Sequence, residues 1–170
     1  MIPSDLADFN IYGGLYRYLN LVYLPEVSFE QIRLESSLSS NLKEGILKVK
    51  TSFYNPEDIR KADVTVSVYD VDRKPVFSKT LEGILPLGDQ LLAEMKIKNP
   101  VLWDVDVPQL YTCELTVKTP DQTFTTEERF GFRHTEFKDK GPFFLNGKRL
   151  LLRGTHRHED HAGVAQAMTE

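Results

Sequence analysis

Apolar and polar residues alternate with a period of two in three separate stretches of the chain. Such alternation predicts strands with one face buried in a core and the other face exposed. The apolar faces are formed by Leu47, Val49, Thr51 and Phe53, by Val64, Val66 and Val68, and by Tyr111, Cys113, Leu115 and Val117. Strand signals dominate from about Val27 to Arg133, so this part of the chain is predicted to be all-β.

Clusters of turn-forming residues separate the predicted strands. They lie at residues 55–58, 72–75, 87–89, 99–100 and 119–122. Turn signals at a spacing of roughly 8–12 residues are typical of an antiparallel β-sandwich, and about 100 residues suit an immunoglobulin-like one. Residues 31–40 also fit a helix through Ile32, Leu34 and Leu38. A strand is preferred there because the surrounding pattern is β throughout.

A hairpin is predicted after the sandwich. Asn146-Gly147 supplies the two positive-φ positions of a type I′ turn between two apolar arms. The apolar run Leu150–Leu152 follows, and an uninterrupted run of this kind is typical of a strand buried on both faces, as in a parallel barrel.

Composition limits the classes of partner. The 170 residues carry a net charge of −4 with acids and bases interleaved, so we expect no nucleic acid as a partner. Cys113 is the only cysteine, which excludes an internal disulfide and a four-cysteine zinc site. No stretch approaches the roughly 20 apolar residues of a membrane span, so no membrane partner is expected. Both the periplasm and the cytoplasm of a bacterium are compatible with the sequence.

Three segments together resemble glycoside hydrolase family two, the β-galactosidase and β-glucuronidase family. In residues 8–17 an acid precedes a glycine-aliphatic-aromatic-arginine motif, as in the closing segment of the family's sugar-binding jelly roll. Residues 99–111 contain a leucine-tryptophan pair and end in Leu-Tyr. Residues 130–163 contain a Gly-Phe-Arg junction, the Asn-Gly turn and a run of histidines, arginines and acids. The three segments stand in the order that the family has.

The resemblance implies a piece of a larger enzyme. Residues 1–25 would be the last strand of the jelly roll, residues 26–132 the immunoglobulin-like β-sandwich, and residues 133–170 the start of a (β/α)8 catalytic barrel. The family's retaining mechanism uses two glutamates whose carboxyl groups lie ~5–5.5 Å apart. Both are expected beyond Glu170, so no catalytic residue is expected here and the chain alone is predicted to be inactive.

Within the family, the Arg-His-Glu-Asp-His sequence of residues 157–161 favours β-galactosidase. Such an exo-enzyme removes terminal β-linked sugars in carbohydrate catabolism. The expected partner of the parent enzyme is therefore a β-galactoside or a related oligosaccharide. The resemblance implies no cofactor within these residues, and Mg²⁺ or Na⁺ are candidate ions of the parent. It predicts neither the linkage preference nor the oligomeric state.

The resemblance also suggests two sugar ligands. Asp8 is expected to accept hydrogen bonds from sugar hydroxyls, since a carboxylate forms strong charge-assisted bonds. His158 matches the histidine of the family's arginine-histidine-acid motif, at the end of the first barrel strand, where barrel enzymes place their active-site rim. A neutral imidazole there can donate to a hydroxyl and stabilise the oxocarbenium-like transition state. Arg157 and Glu159 are expected to support His158.

Two alternatives remain open. The spacing of His156, His158, Asp160 and His161 also fits the H-x-H-x-D-H motif of metallo-β-lactamase-like hydrolases, in which imidazoles and a carboxylate bind zinc and the metal activates water. The glycosidase family often has asparagine at the first of these positions and histidine at the third, so the roles of His156 and Asp160 are undecided. A free-standing immunoglobulin-like binding module would fit the sandwich equally well.

Three further residues receive structural roles. Trp103 is expected to plug one end of the sandwich rather than stack on a sugar, because prolines flank its segment on both sides. Arg133 is expected to be an ion-pair partner at a domain boundary. Cys113 shares an alternating face with apolar neighbours and is expected to be a buried thiol.

Overall fold

The computed structural model describes Gly14, Leu15 and residues 18–156, and strands are the only regular elements among them. They are β1 (Ser28–Leu38), β2 (Glu44–Tyr54), β3 (Ala62–Tyr69), β4 (Pro75–Ile84), β5 (Asp89–Lys98), β6 (Tyr111–Lys118), β7 (Thr123–Phe130), β8 (Thr135–Phe137), β9 (Phe143–Leu145) and β10 (Lys148–Arg149). No helix in this part of the chain is long and apolar enough to cross a membrane. Residues Leu24–Leu151 form one compact unit, and the described residues outside this range belong to a second.

Two antiparallel sheets build the predicted immunoglobulin-like sandwich, which is thereby confirmed. One sheet has the strand order β1-β2-β5 and the other has the order β4-β3-β6-β7. Strands β1 and β7 therefore each lie at the edge of a sheet. A third, small sheet with the order β10-β9-β8 follows the sandwich.

The alternating stretches predicted from the sequence form β2, β3 and β6, and their apolar faces are buried. The core takes residues from both sheets, and most of its members are aliphatic side chains. Residues 28–38 are a strand and not a helix, as preferred, since β1 pairs along its length with β2. Its ladder shifts register between Phe29 and Gln31, which accounts for the imperfect alternation in this stretch.

Phe132 follows β7 by two residues and belongs to the core, and it has no surface exposed to solvent. Its ring meets the rings of Tyr111 and Phe130 edge-on, with centroid distances of 5.4 and 5.5 Å. Gly45 in β2 lies against the same ring, and a Cβ atom at this position would stand 2.7 Å from Phe132 Cε1. The close approach of β2 to Phe132 therefore requires glycine at position 45.

Tyr111 ties the start of β6 to the preceding loop. The backbone N–H of Val101 donates to the Tyr111 hydroxyl at 2.9 Å, and desolvation raises the pKa of this phenol. A tyrosine that bonds upstream backbone from the start of this strand, two residues before a cysteine, is a recurrent feature of immunoglobulin sandwiches. Cys113 occupies that cysteine position without a partner. It is buried, as predicted, and desolvation raises the pKa of its thiol to about 12.

The predicted hairpin is confirmed as the β9–β10 pair. Asn146 and Gly147 have φ angles of 51° and 78°, as a type I′ turn requires. The strand predicted at Leu150–Leu152 is wrong within this chain, because no residue of this run belongs to a strand and Leu151 is 66% exposed. A buried strand needs a ladder of hydrogen bonds to its neighbours. Leu150 donates its N–H to the Phe143 carbonyl at 2.9 Å, but the ladder does not continue as a strand along the run.

Candidate functional site at the junction after the sandwich

The predicted sugar ligands Asp8 and His158 lie outside the described residues. The same holds for Arg157 and Glu159, and for Asp160 and His161 of the zinc alternative. Only His156 of that motif is described, and it is exposed. Among residues 14–15 and 18–156, no group of three or more histidine, cysteine, aspartate or glutamate side chains is placed to hold a metal ion. The roles of these seven residues therefore stay predictions.

The described residues do show how the chain leaves the sandwich toward that segment. We call this region the junction and define it as Trp103, residues 132–135 and Asn146. Leu102 and Phe132 form an isolated parallel bridge, and the Trp103 N–H donates to the Phe132 carbonyl at 2.8 Å. The loop before β6 and the segment after β7 are thus joined by backbone hydrogen bonds. The junction begins where the buried core ends.

Asn146 connects the hairpin to both of these segments. Its backbone N–H donates to the His134 carbonyl at 2.8 Å, and its side-chain Oδ1 accepts from the His134 N–H at 2.9 Å. Its side-chain Nδ2 donates to the Trp103 carbonyl at 2.9 Å. The oxygen and the nitrogen of the side-chain amide therefore both form hydrogen bonds with backbone groups that are far apart in sequence. Sequence reasoning identified Asn146 only as a turn residue and missed these bonds.

Trp103 and Arg133 form a stacked pair at the junction. The Arg133 guanidinium lies 5.3 Å from the centroid of the Trp103 ring, which is cation–π geometry. No salt bridge among residues 18–156 involves Arg133, so its ion pair at the domain boundary stays a prediction. Trp103 is half-buried and is not among the described side chains that pack on the core, so it does not plug the sandwich as expected. Its Cβ atom packs against Gly131, where an added Cβ would approach it to 3.0 Å.

An open groove of about 750 Å³ runs from the junction along edge strands β1 and β7. Its lining combines apolar and aromatic side chains with charged side chains of both signs. The lining includes Ile32, Leu34, Glu35, Trp103, Glu128, Arg129, Phe130 and Arg133. The Ser36 hydroxyl donates to the Gly131 carbonyl at 2.9 Å and so bridges the two sides of the groove.

Glu35 in the groove lacks the raised pKa that is expected of the general acid of a glycosidase. The proton donor of a retaining glycosidase is a carboxyl group whose pKa is raised. The pKa of Glu35 is instead lowered, first because the Lys50 ammonium donates a hydrogen bond of 2.7 Å to its carboxylate. Glu35 is therefore a poor proton donor at neutral pH. The groove offers polar and aromatic surface, but Glu35 does not give it a general acid.

Comparison with known proteins decides the family. The sequence model of the family described as glycosyl hydrolases family 2 matches residues 27–133, which include the whole sandwich. The chain belongs to glycosyl hydrolases family 2. The match ends at Arg133, within the junction, and so covers the immunoglobulin-like part that the strand pattern predicted.

Individual relatives are named either β-glucuronidase or β-galactosidase. The chain is 99% identical to the crystallised β-glucuronidase of Parabacteroides merdae over 99% of its own length and 21% of that chain, with a TM-score of 0.92. It is 36% identical to a putative β-glucuronidase of Formosa agariphila, over 99% of this chain and 20% of that protein. It is 33% identical to a β-galactosidase of Priestia megaterium, over 89% of this chain and 15% of that protein. The chain thus spans about a fifth of the length of these relatives or less.

Proposed function

We propose that this chain is the non-catalytic central portion of a retaining exo-β-glycosidase that acts on β-glucuronides. The residue types at positions 157–161 alone favour a β-galactosidase. Relatives named β-glucuronidase and relatives named β-galactosidase both match the chain, so these five residues do not distinguish the two activities. The observation that carries the proposal is the 99% identity to the Parabacteroides merdae β-glucuronidase, because so few differences leave the local surface nearly unchanged.

The proposed organisation of the parent keeps the predicted boundaries. Residues 1–25 end the jelly roll, residues 26–132 form the immunoglobulin-like domain, and residues 133–170 begin the catalytic barrel. In this arrangement the two catalytic glutamates lie outside the chain, while Asp8 and His158 contact the sugar. The sandwich serves as a structural support, which suits its aliphatic core.

Substrate preference of the parent enzyme tests this proposal. We expect kcat/KM for 4-nitrophenyl β-D-glucuronide to exceed that for the β-D-galactoside by about 10²–10⁴-fold. The physical reason is that polar groups which bind the substrate carboxylate are left unpaired when the galactoside replaces it. Both substrates carry the same leaving group, so the ratio reports recognition of the sugar. A preference for the galactoside would restore the β-galactosidase assignment.

A further inference from the structure

Asn146 does more than its turn position requires. A type I′ turn needs a residue that tolerates positive φ, and glycine would meet that need equally well. The side chain, however, accepts from the His134 N–H and donates to the Trp103 carbonyl, 12 and 43 residues away in sequence. The two bonds fix the amide orientation, since the N–H partner requires an oxygen and the carbonyl partner requires an N–H.

These bonds hold the small sheet against the sandwich. Trp103 is joined through its own N–H to the carbonyl of core residue Phe132, so the Asn146 bond reaches the core through one further hydrogen bond. Asn146 is half-buried, and its two contacts are to backbone groups, whose positions depend little on neighbouring side chains. The hairpin therefore has a defined orientation relative to the sandwich.

We propose that Asn146 is a positioning residue, which fixes the direction in which the chain leaves the immunoglobulin-like domain toward the segment that carries His158. This role rests on the proposed function, because it matters for turnover only if His158 contacts the sugar. The hairpin is the last strand pair before that segment in the described chain, and its β10 strand ends at Arg149. A displaced hairpin would displace whatever follows it, and a shift of about 1 Å in a reacting contact can lower the rate by ~10²-fold.

Two substitutions separate the contacts of Asn146 in this chain. Asn146→Gly keeps the turn and removes both side-chain bonds, whereas Asn146→Asp keeps an acceptor for His134 and removes the donor to Trp103. We expect Asn146→Gly to speed hydrogen exchange of the His134 amide by about tenfold, the effect of losing one hydrogen bond, and Asn146→Asp to leave it slow. Both variants should change the emission of Trp103, the only tryptophan in the chain.

Asn99→Gly is the matched control, because Asn99 also has positive φ, at 46°, and lies outside the junction. It should leave His134 exchange and Trp103 emission as in the wild type. If Asn146→Gly leaves the His134 amide exchange rate and the Trp103 emission unchanged, the Asn146 side chain does not hold the hairpin to the sandwich. The same measurements therefore decide the structural half of the proposal without any assay of activity.

The parent enzyme tests the positioning half. Asn146→Gly should lower kcat by about 10–10²-fold with little change in KM, whereas Asn99→Gly should not. For Asn146→Asp, the ratio of its kcat to that of the wild type should rise as the pH falls, because a protonated carboxyl can again donate to the Trp103 carbonyl. A merely stabilising role would not produce this pH-dependent ratio.

Two outcomes in the parent would overturn positioning. One is a wild-type kcat in Asn146→Gly together with the faster His134 exchange. The other is a wild-type parent that turns over neither glycoside. In that second case the proposed function fails as well. The His134 exchange rates of the variants still show whether the Asn146 side chain holds the hairpin to the sandwich.

Discussion

Replacing Phe132 with alanine is expected to lower the free energy of unfolding by about 3–5 kcal/mol, the range for truncating a buried aromatic ring. Phe132 is fully buried, contacts two further aromatic rings and faces the glycine of β2 that makes room for it. Urea denaturation followed by circular dichroism measures the change. Phe132→Leu keeps more of the volume and should lose less.

Phe137→Ala is the matched control for this truncation. Phe137 is 77% exposed and its ring contacts Phe143 at the surface, with a centroid distance of 4.8 Å. We expect it to lose less than about 1 kcal/mol, because little apolar area leaves a buried environment. Equal losses in the two variants would contradict the placement of Phe132 in the core. Trp103→Ala should fall between them, since Trp103 is half-buried.

Replacing His158 with alanine in the parent enzyme is expected to lower kcat/KM by about 10²–10³-fold, or about 3–4 kcal/mol, while leaving stability nearly unchanged. A contact made mainly in the transition state affects kcat and kcat/KM alike. Steady-state kinetics with the glucuronide and thermal unfolding of the same samples measure both quantities.

His156→Ala serves as the control for the histidine run. Only His158 is assigned to the sugar, so His156→Ala should stay within about threefold of the wild type. Comparable losses in both variants, with stoichiometric zinc in the wild type, would favour the zinc-hydrolase alternative, in which both histidines bind the metal. Wild-type kinetics in His158→Ala would show that the active-site rim lies on other residues.

Local alternation was enough to predict the strands whose one face is buried and whose other face is solvated. Thr51 follows the pattern of its apolar neighbours because its hydroxyl bonds the Gln31 carbonyl at 2.9 Å, which makes its burial possible. Edge strand β4 was not identified as a strand, since most of its residues are exposed and no apolar face stands out. Its position depends on pairing with β3, which is a non-local property.

The junction shows where sequence reasoning ended. The Asn-Gly pair predicts a turn because the signal is contained in two adjacent residues. The bond from Asn146 to Trp103 was missed because nothing local records that these two positions meet. Leu150–Leu152 was predicted to be a strand from its apolar residues alone, yet a strand also depends on a neighbour that can pair with it.

Side-by-side turnover of 4-nitrophenyl β-D-glucuronide by the 170-residue chain and by the full-length parent tests whether the chain is a non-catalytic part of a β-glucuronidase. We expect rapid hydrolysis by the parent and none above the uncatalysed rate by the chain, because transition-state binding requires the catalytic glutamates that are assigned outside it. Turnover by the chain that persists through purification, or a parent that does not hydrolyse the glucuronide, would contradict it.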